Sequence, residues 1–149
     1  MATAAINELV VMREYLIASG VKNNEVSGST VPDKVAAANV CIDELNNDID
    51  ARAAAAIVIS RVGGDMNGDA NHQAFNPILE IRCFGGTPEP DECHVLAQAV
   101  RDRLEGATNE VLSSGRIVSC VEVLGPQIVR DPVSEEYFAF PRYQCHMMA

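Results

Sequence analysis

The sequence lacks tryptophan and has no long apolar runs. Its 149 residues include no Trp, four Phe and three Tyr. No apolar stretch approaches the roughly 18 to 20 residues of a membrane-spanning helix. The N-terminal segment has no basic region and carries Glu8, Arg13 and Glu14 among its apolar positions, unlike a signal peptide. Length and composition therefore predict one soluble domain over residues 1–149 with a single hydrophobic core.

Positive charge is also scarce. Eleven Lys and Arg stand against 21 Asp and Glu, which gives a formal net charge of −10. Nucleic-acid affinity depends on basic side chains that neutralise phosphates, so this balance argues against tight binding of DNA or RNA.

Paired cysteine motifs are absent as well. The five cysteines form an odd set without CxxC spacing, which indicates reduced, mostly buried thiols in a cytoplasmic setting. Cys93-His94 and Cys145-His146 suggest zinc. However, adjacent residues point in different directions from a helix or strand, so neither pair readily gives one ion two ligands. No nucleophile signature surrounds these cysteines, and a thiol enzyme using Cys93 or Cys145 stays an alternative interpretation.

The sequence contains no phosphate-binding glycine motif, nucleophile elbow or HExxH zinc motif. We therefore expect no catalytic residues, no cofactor and no metal. Glu80 and Glu122 lie in predicted strands, where carboxylates are typically solvated or paired across strands.

The segment from Gly63 to Pro77, GGDMNGDANHQAFNP, places oxygen-bearing side chains at alternate positions, as calcium loops do. Counted from Asp65, however, the sixth residue is Ala70 rather than Gly and the twelfth is Asn76 rather than Glu. Its flanks are predicted strands, not helices. We interpret the segment as a polar hairpin loop, longer than the usual two to five residues or so, which favours a functional role.

Helical periodicity appears twice. From Ile6 to Ser19, one stripe carries Ile6, Leu9, Val10, Leu16 and Ile17, and Gly20 follows at a capping position. The segment TPEPDECHVLAQAVRDRLEG has a proline-rich, acidic start, an apolar stripe of Leu96, Ala99, Val100 and Leu104, and Gly106 as its stop. Residues 21–53 are expected to form an irregular insert with a short helix over 35–45.

Four segments have the composition and alternation of strands. They cover 54–62, 78–84, 115–124 and 137–146, and the third places Ile117, Val121 and Val123 on one side. Pro141 predicts an edge or a bulge in the fourth. The sequence thus predicts a single α+β domain of order α-β-β-α-β-β. Two main helices pack on one face of a mixed or antiparallel sheet of about four strands, with a long loop in the first hairpin.

These landmarks resemble the tail terminator, or tail-completion, family of long-tailed bacteriophages. The resemblance rests on the segments INELVVMREYLIASG, IVISRVGG, ILEIRCFGG and ECHVLAQAVRDRLEG, and on Arg130-Asp131 before YFAF. It extends from Ile6 to Tyr143. The insert, and Cys93-His94 in place of a small residue, depart from the family pattern.

The resemblance implies a non-enzymatic virion protein, assembled in the host cytoplasm into a homohexameric ring. Such a ring caps the tail tube, ends its elongation and docks the capsid neck. Its partners would be other copies of the chain, the tube protein, a neck or head-completion protein and, in some tails, a sheath protein. The genome would pass through without specific binding, and no membrane would be involved.

On this interpretation, the long hairpin loop and the turn before the last strands are the expected contact elements. The candidate interface residues are Asp65, Met66, Asn67, Asp69, Asn71, His72, Arg130 and Asp131. Three alternatives stay open: a neck, head-closure or other minor tail protein, the thiol enzyme, and a small acidic binding module without ring symmetry.

Overall fold

The computed structural model describes residues 7–22, 35–46, 49, 54–65, 74–86, 90–132 and 136–148. Within these ranges the protein is an α+β fold with two α-helices and one eight-stranded mixed sheet. The elements in chain order are α1 (Glu8–Lys22), a 3-10 helix (Ala37–Asn39), β1 (Val40–Ile42), β2 (Ala56–Asp65), β3 (Ala74–Phe84), α2 (Pro90–Glu105), β4 (Glu110–Leu112), β5 (Gly115–Leu124), β6 (Ile128–Arg130), β7 (Tyr137–Ala139) and β8 (Arg142–Met148).

The sheet has the strand order β1-β2-β3-β8-β5-β4, and β7 pairs with both β3 and β6. β1 runs parallel to β2, and the other pairs are antiparallel. The long strands β2, β3, β8 and β5 form the centre of the sheet. The three-residue strands β1 and β4 lie at its two ends.

The expectation of about four strands in the order α-β-β-α-β-β is wrong, because the described part of the chain holds eight. β1, β4, β6 and β7 have three residues each, which is too short to show a recognisable alternation. The segment 137–146 forms two strands, since Pro141 has no N–H for the ladder. Its carbonyl instead accepts a hydrogen bond of 3.0 Å from the Ile81 N–H. The helix expected over 35–45 is a 3-10 turn followed by β1.

Helix α1 begins after Asn7, whose side-chain oxygen accepts hydrogen bonds from the N–H groups of Leu9 and Val10. Its buried stripe is rotated relative to the expected one. Val10 is exposed, and Gly20 lies inside the helix instead of ending it. Ile6 is outside the described residues. Over residues 8–18 of this helix, the buried side chains are Val11, Met12, Tyr15 and Leu16.

The structure confirms the helix predicted in the segment TPEPDECHVLAQAVRDRLEG. The four expected core residues, Leu96, Ala99, Val100 and Leu104, are all buried, and Gly106 follows the last helical residue. Pro90 occupies the first helical position, where its missing N–H costs no hydrogen bond.

Both helices cover the same face of the sheet, which we call the inner face. Their apolar side chains share one core with those of β2, β3, β8 and β5. The Tyr15 hydroxyl of α1 donates a hydrogen bond of 2.7 Å to the Arg103 carbonyl of α2. The sheet residues in this core include Ile57, Ile59, Leu79, Ile81, Cys83, Tyr143, Cys145, Met147, Ile117 and Cys120.

Glu14 fastens α1 to the turn between β4 and β5. Its carboxylate accepts hydrogen bonds from the hydroxyl and backbone N–H of Ser113 and from the same two groups of Ser114. These hydrogen bonds favour the charged carboxylate and lower the pKa of Glu14 to about 2.

We predict that Glu14→Gln weakens the acid dependence of stability. A lowered folded-state pKa contributes stability that is complete above the ordinary pKa of about 4.5 and is lost as the pH falls towards 2. Urea unfolding across this pH range is therefore expected to show a shallower loss for the variant than for the natural chain. Parallel pH profiles for the two chains would contradict the role assigned to Glu14.

Tyr143 provides a second prediction. Its ring is fully buried, and its hydroxyl has no hydrogen-bond partner within the described structure. Burial, followed by the nearby Glu122 carboxylate, raises the pKa of Tyr143. Tyr143→Phe removes the unsatisfied oxygen, so we expect the free energy of unfolding to stay level or rise by up to about 2 kcal/mol. Tyr143→Ala, the matched control, is expected to lose about 3–5 kcal/mol. A clear loss in the Phe variant would show that the hydroxyl contributes a bond.

Candidate assembly surface

Among the residues that the structure describes, the outer face of the sheet, opposite the helices, is covered over only part of its width. Around β1, β2 and β7, a small second cluster buries Cys41, Ala56, Val58 and Phe84, with Leu45, Ile49 and Phe138 packed against it. The rings of Phe84 and Phe138 lie 5.4 Å apart. Over β5 and β8 the face is open, and there Ser119, Val121, Val123 and Gln144 are exposed. We call these four residues the outer patch.

Two β-bulges in β5 create the outer patch. The pairing with β8 shifts between Ile117 and Ser119, and again between Glu122 and Leu124, so β5 carries one extra residue at each place. Because side chains alternate between the two sides of a sheet, each extra residue moves the residues that follow it to the opposite side. Ile117 is therefore buried on the inner face, whereas Val121 lies opposite Gln144 and is 61% exposed. Val123, at the second bulge, is 50% exposed.

The prediction that Ile117, Val121 and Val123 share one side of β5 is thus wrong. The alternation of the sequence continues unbroken through β5, but the backbone does not follow it. Cys120, which the alternation placed on the opposite side from Ile117, joins that residue in the core. Two exposed valines on an open sheet face are the result.

Ion pairs border the outer patch on β3 and β8. Glu80 and Arg142 are direct partners across these strands, and the Arg142 guanidinium contacts the Glu80 carboxylate at 3.0 Å. This confirms the expected cross-strand role of Glu80. Glu122 instead pairs with Arg101 of helix α2 at 3.3 Å. The rim beside the valines therefore carries fixed charges, while the valines themselves have no cover among the described residues.

A shallow depression of about 160 Å³ adjoins the outer patch. Asn76, Ser119, Gln144 and His146 contribute to its walls, and Nδ1 of His146 lies 2.6 Å from the Asn76 side-chain oxygen. This contact connects β8 to the part of β3 nearest the long hairpin. The depression thus joins the outer patch to the base of that hairpin.

The expected contact residues Arg130 and Asp131 lie at the hairpin of β6 and β7. The Arg130 guanidinium sits over the Tyr137 ring, 5.9 Å from its centroid, and the Asp131 N–H donates to the Glu136 carbonyl at 2.8 Å. All three residues of β6 are exposed, and β7 is its one strand partner in the described ranges. The hairpin therefore offers an accessible strand edge.

The long first hairpin begins later in the chain than expected. Gly63 and Gly64 do not end β2, which continues to Asp65, and β3 already begins at Ala74. Gly64 has φ of +105°, and any Cβ there would overlap the Asn76 carbonyl across the ladder, so the position requires glycine. Asp65 lies opposite Asn76. The expected contact residues Met66, Asn67, Asp69, Asn71 and His72 lie outside the described residues.

The structure does not bring the two sets of expected contact residues together. Asp65 pairs near the start of β3, whereas β7 meets β3 at Cys83, close to its end. The separation along β3, from Asn76 to Cys83, is seven residue steps, which corresponds to roughly 23 Å. They mark two ends of the molecule, with the outer patch on the face between them.

Neither Cys-His pair places its two side chains in the same surroundings. Cys93 and Cys145 are buried, whereas His94 is exposed and His146 lies at the outer depression. The Cys93 thiol donates to the Tyr137 carbonyl at 3.0 Å, and burial raises its pKa. Across the described ranges, no group of three or more His, Cys, Asp or Glu is arranged to hold a metal ion. In the same ranges, no helix is long and apolar enough to span a membrane.

Comparison with known proteins gives a likeness of fold. No protein-family model matches the chain, and no curated protein matches it. Among solved structures, it is similar to a chain from the virion of a native gene transfer agent (GTA) particle. The two chains are 17% identical, the match covers 89% of this chain and 92% of the other, and the TM-score is 0.50. At this identity the likeness shows a shared fold.

Sequence reasoning missed the outer patch. The residues that mark it are valines and small polar residues, which are typical of any strand, and their exposure depends on the two bulges. Glycine often signals a bulge in a strand, but β5 has none after its first residue, Gly115.

We predict that Val121→Glu leaves the subunit folded, whereas Val58→Glu does not. Both valines belong to the outer face, but Val121 is 61% exposed and Val58 is 1% exposed. The surface change is expected to alter the free energy of unfolding by no more than about 0.5 kcal/mol. An unpaired carboxylate in the second cluster is expected to cost more than about 4 kcal/mol. Thermal unfolding of both variants is the measurement, and equal losses would contradict an open patch.

Proposed function

We propose that this chain is a structural component of a phage-like virion. The observation that carries the proposal is the fold shared with a chain of a gene transfer agent virion over 89% of the present chain. The match also covers 92% of the gene transfer agent chain, so the likeness concerns a whole domain. A virion role also accounts for the accessible features of the described residues, which are an open sheet face and a strand edge.

Within this role we propose a tail terminator: a homohexameric ring that caps the tail tube and docks the neck of the capsid. The resemblance of the sequence landmarks to that family supports the assignment. A closed ring built from one kind of subunit needs two different surfaces on each copy, which meet in a head-to-tail contact. The ring therefore requires two complementary regions on separate sides of the fold.

Two such regions exist on opposite sides of the sheet. The outer patch presents Val121 and Val123 beside Arg142. On the other side, the exposed face of α2 carries Asp91, Val95 and Asp102, which follow one another at helical spacing. Apolar contact between valines, with the α2 carboxylates meeting the partly exposed Arg142 guanidinium, is a suitable head-to-tail contact.

The charge of the chain is compatible with a channel for DNA. A net charge of −10 per subunit, multiplied around a ring, repels the phosphate backbone and disfavours adhesion of the genome. Specific recognition of DNA is not part of this proposal.

The proposed role is non-enzymatic. The thiol alternative depends on Cys93 or Cys145, but both sulfurs are buried, and their pKa values are raised, which disfavours the reactive thiolate. Buried thiols of this kind serve as small core residues.

We predict that the purified chain forms six-fold rings, alone or on isolated tail tubes, and that Val121→Glu with Val123→Glu abolishes them. Negative-stain microscopy and light scattering provide the measurement. Val10→Glu is the matched control, because Val10 is 39% exposed but lies on α1, away from the outer patch. Subunits that never assemble, even on tubes, would favour the acidic binding module. Rings that bind capsid necks but not tubes would favour a neck or head-closure protein.

We further predict a docking role for the long hairpin. Deletion of residues 66–71 is expected to leave a folded subunit, since the paired positions of β2 and β3 remain. The joining of tails to heads in an assembly reaction is expected to fall. Unchanged production of complete particles would exclude a role for the hairpin in docking. It would not contradict the proposal of a ring.

A further inference from the structure

Two buried cysteines lie side by side in the centre of the sheet. Cys120 of β5 and Cys145 of β8 are direct partners across the antiparallel ladder, and their Sγ atoms lie 3.2 Å apart. One thiol donates a weak hydrogen bond to the other. The pair is placed between the two bulges of β5, in the stretch where the pairing with β8 is regular.

The strand register gives this pair a Cα separation that a disulfide can span. Directly opposed residues of antiparallel strands have Cα atoms about 4.5–5.5 Å apart. Disulfides form over Cα separations of about 4.4–6.8 Å. To form the bond, the two sulfurs must approach from 3.2 Å to about 2.05 Å.

The other three cysteines are arranged differently. Cys41, Cys83 and Cys93 direct their thiols at backbone carbonyls, those of Ala38, Ile81 and Tyr137 respectively. Among the hydrogen bonds of the described residues, the contact between Cys120 and Cys145 is the one that joins two sulfur atoms.

We propose that Cys120 and Cys145 are a dithiol oxidation site that takes low-molecular-weight disulfides as its oxidant. Cys120, at 9% exposure against 1% for Cys145, is the sulfur that attacks first. It forms a mixed disulfide and displaces one thiolate of the oxidant. Cys145 then attacks the Cys120 sulfur and displaces the second thiolate. The two protons of the protein thiols pass to the released thiolates, and the oxidant accepts two electrons.

The reduced pair resists this reaction in the resting protein. The hydrogen bond with Cys120 and burial together raise the pKa of Cys145, so its thiolate is scarce near neutral pH. Because both sulfurs are buried, access of the oxidant also requires a transient opening of the ladder between β5 and β8. The resulting bond fixes the register of these strands between the bulges and closes the chain segment that contains β6 and β7.

The inference is independent of the proposed virion role, and so is its test. The purified full chain is incubated with hydroxyethyl disulfide in urea below its unfolding midpoint, then digested without reduction and analysed by mass spectrometry. We expect free thiols to fall from five to three, with a linked peptide joining Cys120 to Cys145. We also expect the oxidised chain to melt roughly 5–10 °C higher.

Cys120→Ser and Cys145→Ser are expected to abolish the linked peptide, whereas Cys41→Ser, the matched control, retains it. Circular dichroism establishes that each variant is folded. Retention of all five thiols under these conditions, or a bond that involves Cys41, Cys83 or Cys93 instead, would overturn the proposal. Failure of the chain to form rings would leave this result unaffected.

Discussion

The pairing of β5 with β8 is the constraint on which the rest of the structure depends. β5 has two more residues than its partner over the paired stretch, and the ladder accommodates them as bulges beside Val118 and Val123. Between the bulges, each residue of β5 lies on the same side of the sheet as its partner in β8. This is the opposite side from the one that an unbroken alternation from Ile117 would give it. Cys120 thereby enters the core and Val121 leaves it. The outer patch and the contact between Cys120 and Cys145 are two results of the same irregular ladder.

The two faces of the sheet consequently differ in what stabilises them. The inner face is closed by α1 and α2, which share one continuous core with the four long strands. Within the described ranges, the outer face is closed only around β1, β2 and β7, by a small cluster that includes Phe84 and Phe138. A subunit with this asymmetry is stable through one face and keeps part of the other available for contact.

Sequence patterns identified the long elements and failed on the short ones. Helix α2 was predictable because its capping residues, charges and apolar stripe agree. Strands of three residues, such as β4, give no periodic signal, and their formation depends on neighbours distant in the chain. The bulges of β5 were also unpredictable, because an extra residue is defined only relative to the partner strand. The outer patch thus could not be predicted from the sequence. Arg130 and Asp131 lie at a hairpin, as expected, but far from Asp65.

The shortness of β1, β4 and β6 has a consequence for the free subunit before any assembly. Exposed strand edges are templates on which protein chains aggregate. Each of these strands offers a run of only three residues, and Arg130 adds a charge at the end of β6. Such edges are too brief to recruit a foreign strand in a stable register. At β1, β4 and β6, contacts with other copies of the chain must therefore come more from side chains than from backbone pairing.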